Sequence, residues 1–415
     1  MTSILMEQLI HITDAVFLGH VGETELGASA VAGIYYLTLY MLGFGFSIGL
    51  QVMIARSNGE QQYLRTGRTF FQGLWFLSAL AVVLCLSVRT VSPLILKRLI
   101  SSPEIYQAVM QYLEWRRFGL LFSFPFLAIR AFFVGITRTG ALSRAAAVAV
   151  AVNIPLNYFL IFTLGLGISG AAIASTLAEA TSFLALYMYM RIKTDREKYG
   201  LQPVFDKQLL QQVLSLSVWS MLHAFISVAP WLLFFVAIEH IGKTALAISN
   251  ITRSVSTLFF VIVNSFAVTA GSLVSNAIGA GASHALFHIC RKILKLGYAA
   301  GFPLIGLALI CNRWIIGFYT DNASLIQAAF VPFAVMLLNY TFALPGYVYL
   351  NAVSGTGKTK VTFLFQVTTT VVYLLYLYWL SQYTNASLAV YFTAEYLFVI
   401  LLAVQSVIYL KYKKL

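Results

Sequence analysis

Apolar residues run through the chain in long unbroken blocks, and polar residues gather in short clusters between them. The pattern lacks the strict alternation of a half-buried strand and the ten-residue alternating segments of a membrane barrel. Blocks of about 20 apolar residues are what a helix needs to cross a bilayer. Twelve helices are predicted, at 1–19, 27–56, 69–95, 108–137, 143–163, 168–191, 209–238, 245–279, 287–316, 325–353, 360–381 and 386–411. The connections are short. The longest, 192–208, is polar and charged and falls near the middle of the chain. It reads as a cytoplasmic linker between an N-terminal six-helix lobe, 1–191, and a C-terminal six-helix lobe, 209–415.

Composition agrees. Of 415 residues, 60% are hydrophobic and only 10% charged, against about 25% charged in an average soluble domain. The expected fold class is all-α integral membrane, because a helix satisfies its own backbone polar groups in lipid. The formal net charge of +13 does not point to nucleic acid, because the bases lie in short loops between apolar blocks. Arg56, Arg65, Arg68, Arg138, Arg144, Arg191, Lys193, Arg196, Lys198, Lys207, Arg291, Lys292, Lys295, Lys358, Lys360, Lys411, Lys413 and Lys414 fall on one side; Arg89, Lys97, Arg98, Arg116, Arg117, Lys243 and Arg313 fall on the other. The positive-inside rule makes the first side cytoplasmic, with both termini there, in a multi-pass protein of the cytoplasmic (inner) membrane. Cys85, Cys290 and Cys311 form no Cys-x-x-Cys pair and imply neither a disulfide nor a zinc site. No cleavable signal peptide is expected, since the start lacks a basic region and a small-residue cleavage site.

The two halves repeat. Gly22-Glu-Thr-Glu-Leu-Gly-Ala-Ser29 aligns with Gly242-Lys-Thr-Ala-Leu-Ala-Ile-Ser249. Gly49, Val52, Ala55 and Gly59 align with Gly271, Val274, Ala277 and Gly281, and Arg138-Thr-Gly140 with Gly355-Thr-Gly357. Six helices per copy bring both copies into the membrane from the same side. Such parallel repeats are related by an axis along the membrane normal, with a central cavity at their interface.

Few residues in the apolar blocks carry chemistry. Asp14 lies in the first, and an acid within a membrane helix is costly and is commonly kept for ion or proton traffic. The plainer alternative is an acid that reaches interfacial water from a helix end. Asn153 and Asn157 stand four apart, on one helix face, with Pro155 between them freeing a backbone carbonyl. They can line a cavity or join helices. Glu179 is the deepest acid by these boundaries and suits reversible protonation, or a neutral helix contact. Arg130 can neutralise an acid in the N-terminal half; Glu395 and Arg253 are further deep charges. Tyr36 and Tyr40 share a face and could meet a cation, or serve as packing. Ala352-Val-Ser-Gly-Thr-Gly-Lys-Thr359 fits a relaxed phosphate-loop pattern. It joins two apolar helices rather than a strand and a helix, so it reads as a cytoplasmic turn.

Ile12-Thr-Asp-Ala-Val-Phe-Leu-Gly-His-Val-Gly22, Asn153-Ile-Pro-Leu-Asn157 and Gly165-Leu-Gly-Ile-Ser-Gly-Ala-Ala-Ile-Ala-Ser175 together resemble the first, fifth and sixth helices of the multidrug and toxic compound extrusion (MATE) transporters. The absence of acids from Ser217–Ala237 and Ala328–Tyr349 resembles the DinF-like branch, which couples through the N-terminal lobe. The resemblance implies an antiporter that exports amphiphilic, often cationic organic compounds by alternating access, as a monomer in the lipid bilayer. It implies no cofactor and a coupling ion, H⁺ or Na⁺, at Asp14, with Asn153, Asn157 and Glu179 as further coupling residues. Tyr36, Tyr112, Ser175 and Arg130 would line the cavity. Many relatives carry an acid where Asn157 stands, which removes one charge from the expected site. The first helix is short and interrupted by Glu7, Gln8 and His11, so its start is expected to be truncated or misassigned.

Two rivals are set against this. A flippase for lipid-linked saccharides would place several arginines in the cavity, where this reading has only Arg130 and Arg253 deep. A membrane-embedded transferase would cluster Asp, Glu or His at one membrane face, and Asp195, Glu197 and Asp206 are mixed with bases instead.

Overall fold

A computed structural model of the chain describes residues 2–136, 138, 140–279, 285–356, 358–384 and 386–412. Every regular element among them is helical. In chain order they are α1 (Thr2–Val21), α2 (Glu23–Gly59), α3 (Tyr63–Thr90), α4 (Ser92–Leu99), α5 (Pro103–Arg116), α6 (Leu120–Gly135), α7 (Gly140–Tyr158), α8 (Gly167–Lys193), α9 (Lys207–Glu239), α10 (Lys243–Gly279), α11 (Leu286–Ile310), α12 (Asn312–Gly317), α13 (Ala323–Leu338), α14 (Tyr340–Gly355), α15 (Thr359–Tyr383) and α16 (Leu388–Tyr412). Among the described residues, eleven helical stretches are long and apolar enough to cross a membrane, and Ile12–Val21 is a shorter apolar helix. These account for the twelve predicted spans, and the protein is a multi-pass, all-α membrane protein.

Several spans are not single rods. The fourth begins at Pro103 rather than 108. Ser102 caps it, its Oγ accepting from Ile105 N at 3.4 Å, and proline occupies the first turn, where its missing N–H costs nothing. A 3-10 turn, Arg117–Gly119, joins α5 to α6 within the span Pro103–Gly135. α13 and α14 likewise form the span Ala323–Gly355. Pro155 lies inside α7, which passes into a π-helical turn at Phe159–Thr163. Proline removes one rung of the α ladder, and a wider turn is one way to absorb the offset. Gly165 and Gly167 follow with φ of 64° and 52°, left-handed values that glycine adopts without cost. They turn the chain into α8.

Contacts divide the chain into two units, Met1–Leu232 and Leu233–Leu415, so that the division falls inside α9. In the first unit the segment after α8 is docked rather than loose. Gln72, fully buried in α3, donates to Val204 O at 2.7 Å and accepts from Asp206 N at 3.0 Å. A Cβ on Gly67 would collide with the carbonyls of Tyr199 and Gly200, so glycine there lets the segment approach α3. Phe132 packs edge-on against Phe70, Phe133 and Tyr199, at 5.4, 5.7 and 5.5 Å between ring centroids. Lipid tails are as apolar as these side chains, so close packing, rather than escape from water, holds such helices together.

The second unit uses small residues for the same purpose. A Cβ on Gly346 of α14 would lie 2.7 Å from Val399 O of α16, and one on Gly355 would overlap the Gly271 carbonyl of α10. The phosphate-loop look-alike lies at the end of α14 and the start of α15, with Lys358 preceding the helix. It joins helix to helix, and no strand occurs among the described residues. Gly357 and Gly281 lie outside them.

Candidate functional site

α1, α7 and α8 bring one acid and three neutral polar side chains together. Asp14 is 7% exposed, Ser175 2%, and Asn153 and Asn157 are fully buried. Asn157 Nδ2 donates to Asp14 Oδ1 at 2.5 Å, and Asn153 Nδ2 reaches the same oxygen at 3.4 Å. The Ser175 hydroxyl donates to Asp14 Oδ2 at 2.6 Å. Asn157 Nδ2 also donates to Asn153 Oδ1 at 3.0 Å, and Asn153 Nδ2 lies 3.3 Å from Ser175 Oγ. The spacing of the two asparagines puts both amides on the α7 face turned towards α1. An unpaired carboxylate in so dry a place would cost several kcal/mol; here three side chains donate to it.

One atom in this group is left over. Asn157 Oδ1 is buried and has no hydrogen-bond partner among the described residues. An orphaned acceptor beside a carboxylate, another amide oxygen and a hydroxyl makes an oxygen-rich place. Proton and hard alkali cations both bind such oxygens.

A second group lies one turn away. Glu179 follows Ser175 by four residues on α8, and Arg116 follows Tyr112 by four on α5, so each pair shares a helix face. Arg116 grips Glu179 with both terminal nitrogens, Nη1 donating to Oε2 at 2.8 Å and Nη2 to Oε1. The Tyr36 hydroxyl donates to Glu179 Oε2 at 2.9 Å, and the guanidinium stands 3.9 Å from the centre of the Tyr36 ring. Tyr112 is buried, one turn before Arg116 on α5. Gly119 makes room, since a Cβ there would strike Arg116 Nη1, Glu179 Oε2 and Tyr36 Oη. With Asp14 ionised the two groups together hold two negative charges and one positive. A single bound monovalent cation makes them neutral.

Arg130 is placed elsewhere. Its guanidinium lies 5.0 Å from the centre of the Phe44 ring, and the cation beside the N-terminal acids is Arg116. Arg116 and Arg117, which the charge pattern assigned to the outer side within the predicted helix 108–137, are themselves buried, at 4% and 8% exposure. Arg116 is stable there because Glu179 neutralises it; Arg117 Nε donates to Glu114 O at 2.9 Å. The sequence reading missed the Arg116–Glu179 pair because its members are 63 residues apart. The available signal was spacing, since Glu179 falls one turn from Ser175 on the same face. Tyr40 packs on Phe44 and Phe124, at 6.4 Å to each ring.

An all-α bundle of membrane-length apolar helices, with a buried acid held by neutral donors among them, fits a membrane transporter. Comparison with known proteins gives the family. The MatE family model matches residues 1–159 and again 220–379, and the chain belongs to the MATE family of transporters. These are multidrug efflux proteins, not enzymes. "Probable multidrug resistance protein NorM" of Agrobacterium fabrum is 26% identical over 304 residues, which is 72% of this chain and 65% of the relative. "Multidrug resistance protein NorM" of Aliivibrio fischeri is 24% identical over 367 residues, 82% of this chain and 77% of the relative. The chain thus spans just under two thirds of the first relative's length and about three quarters of the second's. A solved structure described as an inward-facing MATE family transporter of the MOP superfamily superimposes with a TM-score of 0.89 at 15% identity, covering 97% of this chain and 94% of that one. That likeness confirms the fold.

Proposed function

We propose that this protein exports amphiphilic, often cationic organic compounds in exchange for H⁺ or Na⁺ by alternating access. In this reading the ion binds Asp14, with Asn153, Asn157 and Ser175 supplying neutral oxygens after small rotations of the amides. The Arg116–Glu179 pair, Tyr36 and Tyr112 set the charge balance next to it. Occupation by the ion removes the net negative charge and lowers affinity for a cationic cargo, which then leaves. The coupling is the difference in ion affinity between the two access states, and it acts equally in both directions.

The observation that carries the reading is the buried Asp14 carboxylate with its three donors and the unpartnered Asn157 Oδ1. The NorM names of the relatives support an organic cargo. Two matches of one family model to the two halves support a duplicated architecture of two six-helix lobes, 1–191 and 209–415, joined by the linker 192–208. We place the chain in the cytoplasmic membrane, acting as a monomer with both termini cytoplasmic. The test is efflux of a fluorescent cationic dye from cells expressing wild type or Asp14→Asn, under separate pH and Na⁺ gradients. Wild-type efflux should follow one gradient, which names the ion, and Asp14→Asn should lose that dependence. Equal efflux by both proteins would remove Asp14 from the mechanism.

A further inference from the structure

The second unit holds a carboxylate that this mechanism does not use. Glu395 lies seven residues into α16, roughly 10 Å along the helix from Leu388. It is 8% exposed. Its Oε1 accepts from the Tyr373 hydroxyl of α15 at 2.8 Å. Oε2 has no donor among the described residues, so one oxygen is spoken for and the other is open.

Among the described residues no cation is bonded to Glu395. The helices packed on α16 include α13, α14 and α15, and α9, whose Phe234 ring lies 5.5 Å from that of Phe392. The titratable groups of α9 are Lys207, His223 and Glu239, which lie 27, 11 and 5 residues from Phe234. α13 carries no titratable side chain. α14 presents Tyr347, which lies within electrostatic reach of Glu395. α15 presents Tyr373, and Tyr376, which is bonded to Thr393 at 3.1 Å. On α16 itself the neighbouring titratable groups are Tyr391 and Tyr396, the latter donating to Val335 O at 2.6 Å. The basic residues of α13 to α16 are Lys360, thirteen residues before Tyr373, and Lys411, sixteen after Glu395. These separations are about 20 and 24 Å along the helices. The contrast with Glu179, which has an arginine on both oxygens, is direct.

The surroundings are polar in one further respect. Thr369 and Thr370 of α15 and Ser406 of α16 each bury a hydroxyl oxygen without a hydrogen-bond partner among the described residues. Thr369 lies one turn from Tyr373, and Ser406 three turns from Glu395, each on the same helix face. Buried hydroxyls of this kind are where internal water binds. With the Tyr376–Thr393 and Thr368–Gln405 bonds, Tyr373, Thr369, Glu395 and Ser406 add polar groups along the two helices α15 and α16.

We propose that Glu395 is a second proton-binding site, in the C-terminal unit, that takes up and releases a proton during transport. A buried carboxylate with no cation bonded to it can be neutralised by binding a proton. A proton on Oε2 supplies that neutrality while Oε1 keeps the Tyr373 hydrogen bond. The step breaks an O–H bond to water and forms one on the carboxyl group, with nothing oxidised or reduced. The inference adds to the transport reading and does not depend on Asp14 being the ion site.

The test is an infrared pH titration of the purified, lipid-reconstituted protein, following the band of the protonated carboxyl group, combined with pH-driven efflux from the same vesicles. In wild type a carboxyl band titrates and shifts in D₂O. Glu395→Gln should lose it, whereas Asp14→Asn should keep it. Tyr373→Phe should move both its frequency and its midpoint, which also covers the case of a Glu395→Gln protein that does not fold. Glu395→Gln should reduce pH-driven efflux at least about fivefold, with Glu395→Asp retaining more. A titration unchanged by Glu395→Gln or by Tyr373→Phe, or an efflux pH profile unchanged by Glu395→Gln, would overturn the proposal. The infrared signal needs no cargo, so a wild type that moves no dye would sink the transport reading, while loss or retention of the titrating band in Glu395→Gln would still decide whether Glu395 binds the proton.

Discussion

The Ser175 hydroxyl lies 2.6 Å from Asp14 Oδ2, and one turn further along the same helix Glu179 is held by Arg116. α8 thus ties the Asp14 carboxyl group to a buried ion pair. Arg116 is bonded to Glu179, while Asp14 has neutral donors only.

Separating the buried pair should be costly, and removing both partners should be much less so. Arg116→Met alone leaves Glu179 without its cation, and Glu179→Gln alone leaves Arg116 without its anion. Each should destabilise the protein by about 3–5 kcal/mol, while the double variant recovers most of the loss. Thermal melting of the four proteins in one detergent measures this.

Gly119→Ala should have a similar effect without touching a charge. The added methyl group occupies space now filled by Arg116 Nη1, Glu179 Oε2 and Tyr36 Oη. The helix itself gains from alanine, by about 1 kcal/mol. A net loss of stability with impaired transport would therefore come from the displaced ion pair. The double variant Gly119→Ala/Tyr36→Phe, which removes one of the three atoms in the way, should recover part of it.

The sequence shows which residues share a helix but not which helices face each other. Asn153 and Asn157, four apart around Pro155, were legible as one polar face, and Asp14 stood out as an acid in an apolar block. The same pattern reading assigned Arg116 and Arg117 to the outer side of the fourth helix. The neutralisation of Arg116 depends on Glu179 of α8, a contact no local spacing records. The Tyr373–Glu395 contact was hidden for the same reason. The helix outline was more legible, because hydropathy is a local property and lipid admits few alternatives to a helix. The breaks at Ser102–Pro103 and after Pro155 moved its boundaries by only a few residues.

Asn157→Asp should restore a second acid beside Asp14. Two carboxyl groups within hydrogen-bond distance of a common neighbour cannot both ionise cheaply, so the pair holds its first proton more tightly than Asp14 alone. The pH at which ion release becomes limiting should then move upwards. The pH profile of efflux from reconstituted vesicles measures the shift, and an unchanged profile would place Asn157 outside the ion's electrostatic reach.

Gln72→Ala should free the segment leading into α9. The substitution removes the hydrogen bonds to Val204 O and Asp206 N, and leaving such buried groups unpaired costs about 1–3 kcal/mol. Faster hydrogen exchange and faster proteolysis at residues 201–206 are expected, with the rest of the first unit unaffected.

The central claim is that cargo and ion compete through Asp14. It is tested most directly by adding cargo to the purified protein in weak buffer and measuring the protons or Na⁺ released. Wild type should release ion on cargo binding, and the same ion should in turn weaken cargo binding by an equal factor. Asp14→Asn should bind cargo while releasing less. Release of the same amount by Asp14→Asn would contradict the account.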